Sequence, residues 1–336
     1  MPGVIASCSG GEPGPIVGGR VYGPAMPAAT LVTVLTSAGA PPRIEVDPAG
    51  LDPAAPLHLC SAAKALTAVG VLRLAGRGVL DLDTDVRQWV PVPGRWGPTL
   101  RQLLTHRGGV SDPPGSFETG PVPPIAELVA GRTPAHPGPI TPSVEPGTAV
   151  AYSDAGYCLV ERAVEVATGE PFAAVMHREL AVPLRLTRTG FWAGEHSPVA
   201  AGAALGNAGR GPRRHYPGLA ASGLWSPATE IAVWLADLGR SLAGQDGVLL
   251  TAGQAAQWVA DPGECGVAAG VFPFGAPGRP CVMTQGWGVG FQCQLRWYPA
   301  AGGAVAVVLD ADPGVPQSES VVGRTMLRRV TELGWR

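Results

Sequence analysis

Lysine and asparagine are almost missing from this sequence. Among 336 residues and 24 basic side chains, Lys64 is the sole lysine and Asn207 is the sole asparagine. On a protein surface arginine serves as well as lysine, but only lysine gives up its proton when burial and neighbouring groups adjust its pKa. The scarcity therefore directs attention to Lys64 as a group whose chemistry arginine cannot supply.

Strong charge and long apolar runs are also missing. The net charge is −2, and no basic stripe is present to bind phosphates, so we expect no nucleic-acid partner. No apolar run approaches the length of about 18 residues that spans a bilayer, so we expect no membrane segment. The first residues contain neither a basic start nor an apolar stretch, and we therefore expect no export signal and a cytoplasmic protein.

Metal-binding spacings and the usual serine-hydrolase elbow are absent as well. The cysteines form no Cys-x-x-Cys pair, and no His-Glu-x-x-His or Gly-x-Ser-x-Gly stretch occurs. We expect reduced thiols, no metal site and no cofactor. The six cysteines are Cys8, Cys60, Cys158, Cys265, Cys281 and Cys293, and the six histidines are His58, His106, His136, His177, His196 and His215.

The order of periodic segments predicts an α/β (α+β) fold. Alternating apolar residues predict a hairpin over 31–35 and 43–46 with its turn at 38–42, and two further strands over 292–297 and 304–309. Helical spacing predicts helices over 59–75, 99–104, 125–130, 156–167, 171–180, 229–242 and 318–333. We therefore expect an antiparallel sheet built from both chain ends and flanked by helices, with an inserted helical lobe.

These segments suggest two lobes. The sheet lobe comprises residues 1–60 and 218–336, and the mainly helical lobe comprises residues 61–217. A cleft between two lobes is a common location for an active site.

The stretch Ser61-Ala62-Ala63-Lys64 at the start of the first helix suggests nucleophilic catalysis. Residues three apart lie on one helix face, so the hydroxyl and the amine can meet. A serine hydroxyl needs a base to take its proton, and a lysine with a lowered pKa can act as that base. The alternative interpretation is a serine helix cap followed by a surface lysine.

Several other stretches, taken in order, carry a family resemblance. They are Leu72–Asp83, the stretch Thr99–His106 that reads TLRQLLTH, Pro146–Thr148, the stretch Tyr152–Tyr157 that reads YSDAGY, and Ala221–Ser226. Together with Ser61 and Lys64, they resemble the serine β-lactamase-like family. This family includes class C β-lactamases, D-Ala-D-Ala carboxypeptidases, family VIII esterases and related acyltransferases. The resemblance runs from about residue 31 to residue 309.

The resemblance implies roles for particular residues. Ser61 would be the nucleophile, Lys64 its activating base, and Tyr152 the group that relays the proton to the leaving group. His106 would be structural, and Cys60 a small packed residue. Asp154 stands where the family pattern has asparagine.

Asp154 changes what this position can recognise. An ionised aspartate cannot donate to a substrate carbonyl. It would repel a substrate carboxylate and could prefer an amine or a hydroxyl. It could also pair with Lys64 and hold it charged, which would favour Tyr152 as the base.

The third motif of the family falls on Thr284-Gln285-Gly286, on the edge strand beside the site, or on the adjacent Trp287-Gly288. The cation that penicillin-binding members carry there is absent. We expect these five residues to bind substrate, and we expect the N–H groups of Ser61 and residue 287 to form an oxyanion hole.

These features together predict serine-dependent acyl transfer by an esterase or transacylase. Its partners would be a small-molecule acyl donor and an amine or alcohol acceptor, with a possible place in secondary metabolism. One alternative is an amidase of the carboxypeptidase or β-lactamase type. The other is a non-catalytic binding protein of the same fold.

Overall fold

The computed structural model describes residues 29–35, 42–49, 52–113, 122–192, 216–288, 290–311 and 313–335. Most of the turn expected at 38–42 lies outside these ranges. So do four residues singled out above, namely Cys8, His196, Asn207 and His215.

Nine strands form two antiparallel sheets in the described residues. They are β1 (Thr30–Leu35), β2 (Arg43–Asp47), β3 (Pro56–His58), β4 (Gly190–Phe191), β5 (Leu224–Pro227), β6 (Phe272–Ala276), β7 (Arg279–Gly288), β8 (Phe291–Tyr298) and β9 (Gly303–Leu309). The large sheet has the order β2-β1-β9-β8-β7-β6, and the small sheet has the order β3-β5-β4. Both chain ends therefore contribute to the large sheet.

Ten helices accompany the sheets in the same residues. They are α1 (Ala63–Gly76), α2 (Leu100–Leu104), α3 (Ile125–Val129), α4 (Asp154–Thr168), α5 (Phe172–Met176), α6 (Val182–Leu184), α7 (Leu219–Ser222), α8 (Ala228–Leu242), α9 (Ala252–Trp258) and α10 (Val321–Glu332). A π-helical turn, His177–Ala181, connects α5 to α6. No helix among the described residues is long and apolar enough to cross a membrane.

The central strand β9 explains how the layers are arranged. Every one of its residues is buried. Ala304, Ala306 and Val308 belong to the main core, whereas Val305 and Val307 pack in the second core under α10. Because side chains alternate across a strand, a strand that is buried throughout must have a packed layer on each face. The helices α8 and α10 provide contacts on β9.

Helix α1 lies at the centre of the main core. Eleven of its residues are buried, around its whole circumference. Such a helix has no solvent face, so a charged residue within it needs partners inside the protein. The small sheet leads directly into this helix, because β3 is followed by a 3₁₀ turn, Cys60–Ala62, and then by α1.

The fold prediction is confirmed, because the structure is a mixed α/β fold with an antiparallel sheet flanked by helices. The hairpin β1–β2, the pair β8–β9 and the main helices lie close to the positions that periodicity predicts. The region 171–180 differs, because the α-helix changes to the π-helical turn after Met176. The division into lobes at residues 60/61 and 217/218 stays a prediction.

Candidate active site

The 3₁₀ turn before α1 presents Ser61, and the first turn of α1 carries Lys64 inward. Ser61 is partly exposed, whereas Lys64 is only 2% exposed. Ala62 occupies the N-cap position of α1, and no side chain caps this helix. The alternative interpretation of the motif, a serine cap followed by a surface lysine, is therefore wrong.

The amine of Lys64 is surrounded by three oxygen groups. Nζ donates to a carboxylate oxygen of Asp154, donates to the carbonyl oxygen of Ala221 at 2.9 Å, and contacts the hydroxyl of Tyr152. The carboxylate and the carbonyl can only accept hydrogen bonds. An ammonium group, with its three N–H donors, fits this environment.

These partners determine the charge of Lys64. Burial alone would lower its pKa, but the attraction of Asp154, and after it that of Tyr152, outweighs burial and raises the pKa. A buried ammonium is tolerated when it is paired and hydrogen-bonded. These contacts therefore favour the charged ammonium form of Lys64.

Tyr152 bridges the serine and the lysine. Ser61 and Lys64 lie near its hydroxyl, where both act to lower the pKa of Tyr152, and Lys64 Nζ lies 4.8 Å from the centre of its ring. The residue as a whole is 47% exposed. Burial raises the pKa of Tyr152 to about 12, with Lys64 acting to lower it and Asp154 to raise it.

His106 holds the segment that carries Tyr152. Its carbonyl accepts the N–H of Ala151 at 2.9 Å, and its Nδ1 accepts the N–H of Ser153 at 3.2 Å. Its ring also packs on the ring of Tyr152, with 4.5 Å between the centroids. His106 thus contacts Tyr152 and both of its neighbours in the chain. These contacts can hold the segment in place, as the structural role expected for His106 requires.

The imidazole of His106 is kept neutral. Burial and then the positive charge of Lys64 lower its pKa from 6.5 to about 3. Because Nδ1 accepts a hydrogen bond, the proton of the neutral ring is on Nε2. That buried atom has no hydrogen-bond partner within the described ranges.

A second carboxylate, Asp112, lies beneath Asp154. It accepts the N–H groups of Asp154 at 2.9 Å and Ala155 at 2.7 Å, and the hydroxyl of Ser153 at 3.0 Å. Burial and then the charge of Asp154 raise the pKa of Asp112, against these hydrogen bonds. Asp112 therefore anchors the start of α4, where Asp154 is the first helical residue.

The short helix α7 orients side chains around the site through its carbonyl groups. Ala220 accepts from the Thr67 hydroxyl at 2.8 Å, and the next carbonyl, that of Ala221, accepts from Lys64. The carbonyl of Ser222 accepts from Nε2 of His58 at 2.6 Å. This arrangement gives a structural role to the stretch Ala221–Ser226, which the sequence indicated only by resemblance.

Cys60, next to Ser61, is buried as expected. Its backbone has a positive φ of 47°, an uncommon conformation for a residue other than glycine. Its Sγ lies 3.6 Å from Nδ1 of His58, which stacks on Trp225 at 4.7 Å. The turn that presents Ser61 is therefore held by packing against the small sheet.

The third motif lies directly against this turn. A Cβ atom on Gly286 would lie 2.1 Å from the Leu59 carbonyl oxygen and 2.9 Å from Cys60 Cβ. A Cβ on Gly288 would lie 3.0 Å from Cys60 Sγ. Only glycine allows the strand to approach so closely. The structure thus brings the end of β7 beside Ser61.

The remaining residues of the motif occupy different surroundings. Thr284 is buried and donates to the Gly270 carbonyl at 3.3 Å, while Gln285 is half-buried and Trp287 is exposed. The register pairs β6 with Arg279–Met283, so Thr284–Gly288 extend past β6. Whether these residues contact substrate stays a prediction.

Three supporting groups were not predicted as part of the site. Asp112 and the Ala221 carbonyl contact the Lys64–Asp154 pair, and Gln317 Nε2 donates to the Gly286 carbonyl at 2.9 Å. None has a local sequence signal, because each acts on residues that are distant in the chain. No cluster of three or more potential metal ligands occurs in the part of the chain that the structure describes.

The close contact at Gly286 can be tested with a single methyl group. We expect Gly286→Ala to reduce kcat/KM by about 100-fold, because displacement of a reacting group by about 1 Å has effects of this size. Gly138→Ala is the matched control, since a Cβ there meets no atom within 4 Å. Steady-state kinetics and thermal unfolding are measured for both variants. Equal kcat/KM values for Gly286→Ala and Gly138→Ala would contradict the close contact between Gly286 and the turn before Ser61.

The neutral His106 predicts a pH dependence of stability. Below pH 6.5 the unfolded chain binds a proton at His106 that the folded protein takes up only near pH 3. The free energy of unfolding should therefore fall by about 1.4 kcal/mol for each pH unit between these values. His106→Asn should flatten this slope, because asparagine tolerates the positive φ of 55° and does not titrate. Urea unfolding at several pH values measures this slope for the wild type, for His106→Asn and for His177→Asn, which replaces an exposed histidine as the control. Parallel curves of unfolding free energy against pH for the wild type and His106→Asn would contradict the prediction.

Known proteins resemble this chain in sequence and in fold. Penicillin-binding protein 4* of Bacillus subtilis (strain 168) is 26% identical over 139 residues, which are 39% of this chain and 30% of that protein. The penicillin-binding protein homologue from Pyrococcus abyssi superposes with a TM-score of 0.68 at 18% identity, covering 92% of this chain and 74% of the other.

The D-amino acid amidase from Ochrobactrum anthropi SV3 also gives a TM-score of 0.68, at 19% identity, covering 91% of this chain and 93% of the amidase. At these identities the two structures show a shared fold. The Beta-lactamase family profile matches residues 44–321, most of the sequence, and the chain therefore belongs to the Beta-lactamase family.

Proposed function

We propose that this protein is a serine-dependent acyl-transfer enzyme, an esterase or transacylase acting on a small-molecule ester or activated acyl group. The observation that carries the proposal is the line of contacts from Ser61 to the Tyr152 hydroxyl and on to Lys64. A nucleophile, a proton acceptor and a fixed positive charge are the groups that acyl-enzyme chemistry needs.

The proposed reaction has two half-reactions. Ser61 Oγ forms a bond to the acyl carbon while its proton passes to the oxygen of Tyr152. The leaving group then departs with that proton, which leaves an acyl group on Ser61. Water or an acceptor amine or alcohol next loses its proton to Tyr152 and attacks the acyl carbon. The bond from the acyl carbon to Ser61 Oγ then breaks, Tyr152 returns the proton to Ser61 Oγ, and the product leaves.

Tyr152 is the proposed base because Lys64 is already fully engaged. The ammonium of Lys64 has no lone pair, and its partners Asp154 and Ala221 stabilise this charged form. Burial raises the pKa of Tyr152, and the positive charge of Lys64 acts against this rise. The neighbouring ammonium then stabilises the phenolate.

Two features favour an ester over a peptide-like substrate. The third motif, Thr284-Gln285-Gly286, provides no cation for a substrate carboxylate, and Asp154 replaces the amide that could donate to a substrate carbonyl. The second candidate is an amidase of the carboxypeptidase or β-lactamase type. The structural similarity to a D-amino acid amidase supports this candidate.

Intact-protein mass spectrometry tests for the acyl-enzyme. After mixing with p-nitrophenyl acetate or butyrate, we expect the wild-type protein to gain one acetyl or butyryl group and Ser61→Ala to gain none. Ser318→Ala, which replaces an exposed serine, should behave like the wild type. Added amines or alcohols that discharge the adduct faster than water would indicate a transacylase.

The contrary outcomes have distinct meanings. A wild-type adduct that water discharges as fast as any acceptor does would favour an esterase. An adduct with D-amino acid amides but not with esters would favour the amidase. No adduct in any protein would remove Ser61 from the chemistry and favour a binding protein.

The raised pKa of Tyr152 predicts the pH profile of acylation. Because the reactive form is the phenolate, the acylation rate should rise about tenfold for each pH unit from about pH 6 to about pH 9, well below the pKa of about 12. The p-nitrophenol burst measures this rate. Tyr152→Phe should abolish the rise, and a plateau near neutral pH in the wild type would contradict Tyr152 as the base.

A further inference from the structure

Asp154 is accessible at the point where acylation would occur. One carboxylate oxygen forms the ion pair with Lys64, and 18% of the side chain remains exposed. Tyr152, two residues earlier, and Ser61 are also partly exposed. A molecule that reaches the Ser61 hydroxyl therefore approaches this carboxylate.

Carboxylates outnumber cations at this site. Asp112 lies behind Asp154 and accepts its backbone N–H at 2.9 Å, and burial and then the charge of Asp154 raise the pKa of Asp112. Lys64 is the sole lysine of the chain. Within the described ranges, no arginine contributes to the pKa shifts of Lys64, Tyr152 or Asp112.

The end of β7, on the other side of Ser61, supplies no positive charge to offset these carboxylates. The positions closest to the nucleophile's turn are Gly286 and Gly288, and the buried Thr284 hydroxyl donates to the Gly270 carbonyl. A carboxylate on a bound acyl group would therefore meet Asp154 without a compensating cation from this motif. An ammonium would meet a partly exposed carboxylate, which favours its binding.

We propose that Asp154 is a specificity-determining residue that selects acyl donors carrying a cationic ammonium group over donors carrying a carboxylate. This inference rests on the proposed function, because it concerns the donor that acylates Ser61. The Asp154–Lys64 pair thereby both orients the lysine and sets the charge of the acyl pocket.

Three p-nitrophenyl esters of similar length test the inference. The first carries a γ-trimethylammonium butyryl group, the second carries its neutral isostere ending in a tert-butyl group, and the third carries adipate with a free carboxylate. We expect kcat/KM of the wild type to be about tenfold higher for the cationic ester than for the neutral ester. For the anionic ester we expect kcat/KM to be about tenfold lower than for the neutral ester. Effects of this size follow from the interaction of charges a few ångströms apart near a protein surface.

Asp154→Asn separates selectivity from catalysis. This substitution alters the environment of Lys64 and should lower the rates for all three esters. The ratios of kcat/KM between the esters do not depend on a loss of rate that all three share. In Asp154→Asn we expect these ratios to approach the ratios of the uncatalysed hydrolysis rates. Glu127→Gln is the control, because it removes the same charge from an exposed pair with Arg132 and should preserve the wild-type ratios.

The outcomes distinguish the two proposals. Equal rates for the cationic and anionic esters in an enzyme that forms the acyl adduct would overturn the inference and leave the proposed function intact. Unchanged ratios in Asp154→Asn would likewise overturn it. If no ester acylates the wild type at all, the proposed function fails and the inference fails with it.

Discussion

The buried ammonium of Lys64 is the interaction on which the rest of the site depends. A positive charge in the interior is costly unless oxygen groups replace its water, and an all-buried helix such as α1 offers none from its own surface. The partners come from the segment around Tyr152, from Asp154 at the start of α4, and from the Ala221 carbonyl of α7. The contacts that stabilise the Lys64 ammonium thus hold three parts of the chain in place around Ser61.

A second layer of contacts keeps these partners in place. His106 contacts Tyr152 and both of its neighbours, and Asp112 binds the backbone at the start of α4. On the opposite side, Gly286 lies against the backbone before Ser61, and Gln317 bonds its carbonyl. Groups held in this way need little rearrangement when charge develops during a reaction, which is the general basis of electrostatic preorganisation.

The same framework can serve different substrates when its charge is changed. The resemblance implies that Asp154 stands where the family pattern has asparagine, and that the third motif on Thr284-Gln285-Gly286 lacks the family's cation. In this chain Lys64 bonds Asp154 and the Ala221 carbonyl, and it lies beside Tyr152. The frame that supports the chemistry and the groups that would select the substrate are therefore separable, as is usual for a fold shared by many activities.

The sequence by itself predicted the fold class and the proximity of Ser61 and Lys64 at the start of the first helix, and it singled out Tyr152 and Asp154. These follow from local periodicity, from a spacing of three residues and from short motifs, which depend on neighbours in the chain. Only the tertiary structure decided that Lys64 pairs with Asp154, which is 90 residues away. It also decided that His106 holds Tyr152, and that Gly286 lies against the turn before Ser61. Such contacts join distant segments whose distances are set by packing, and no local pattern encodes those distances.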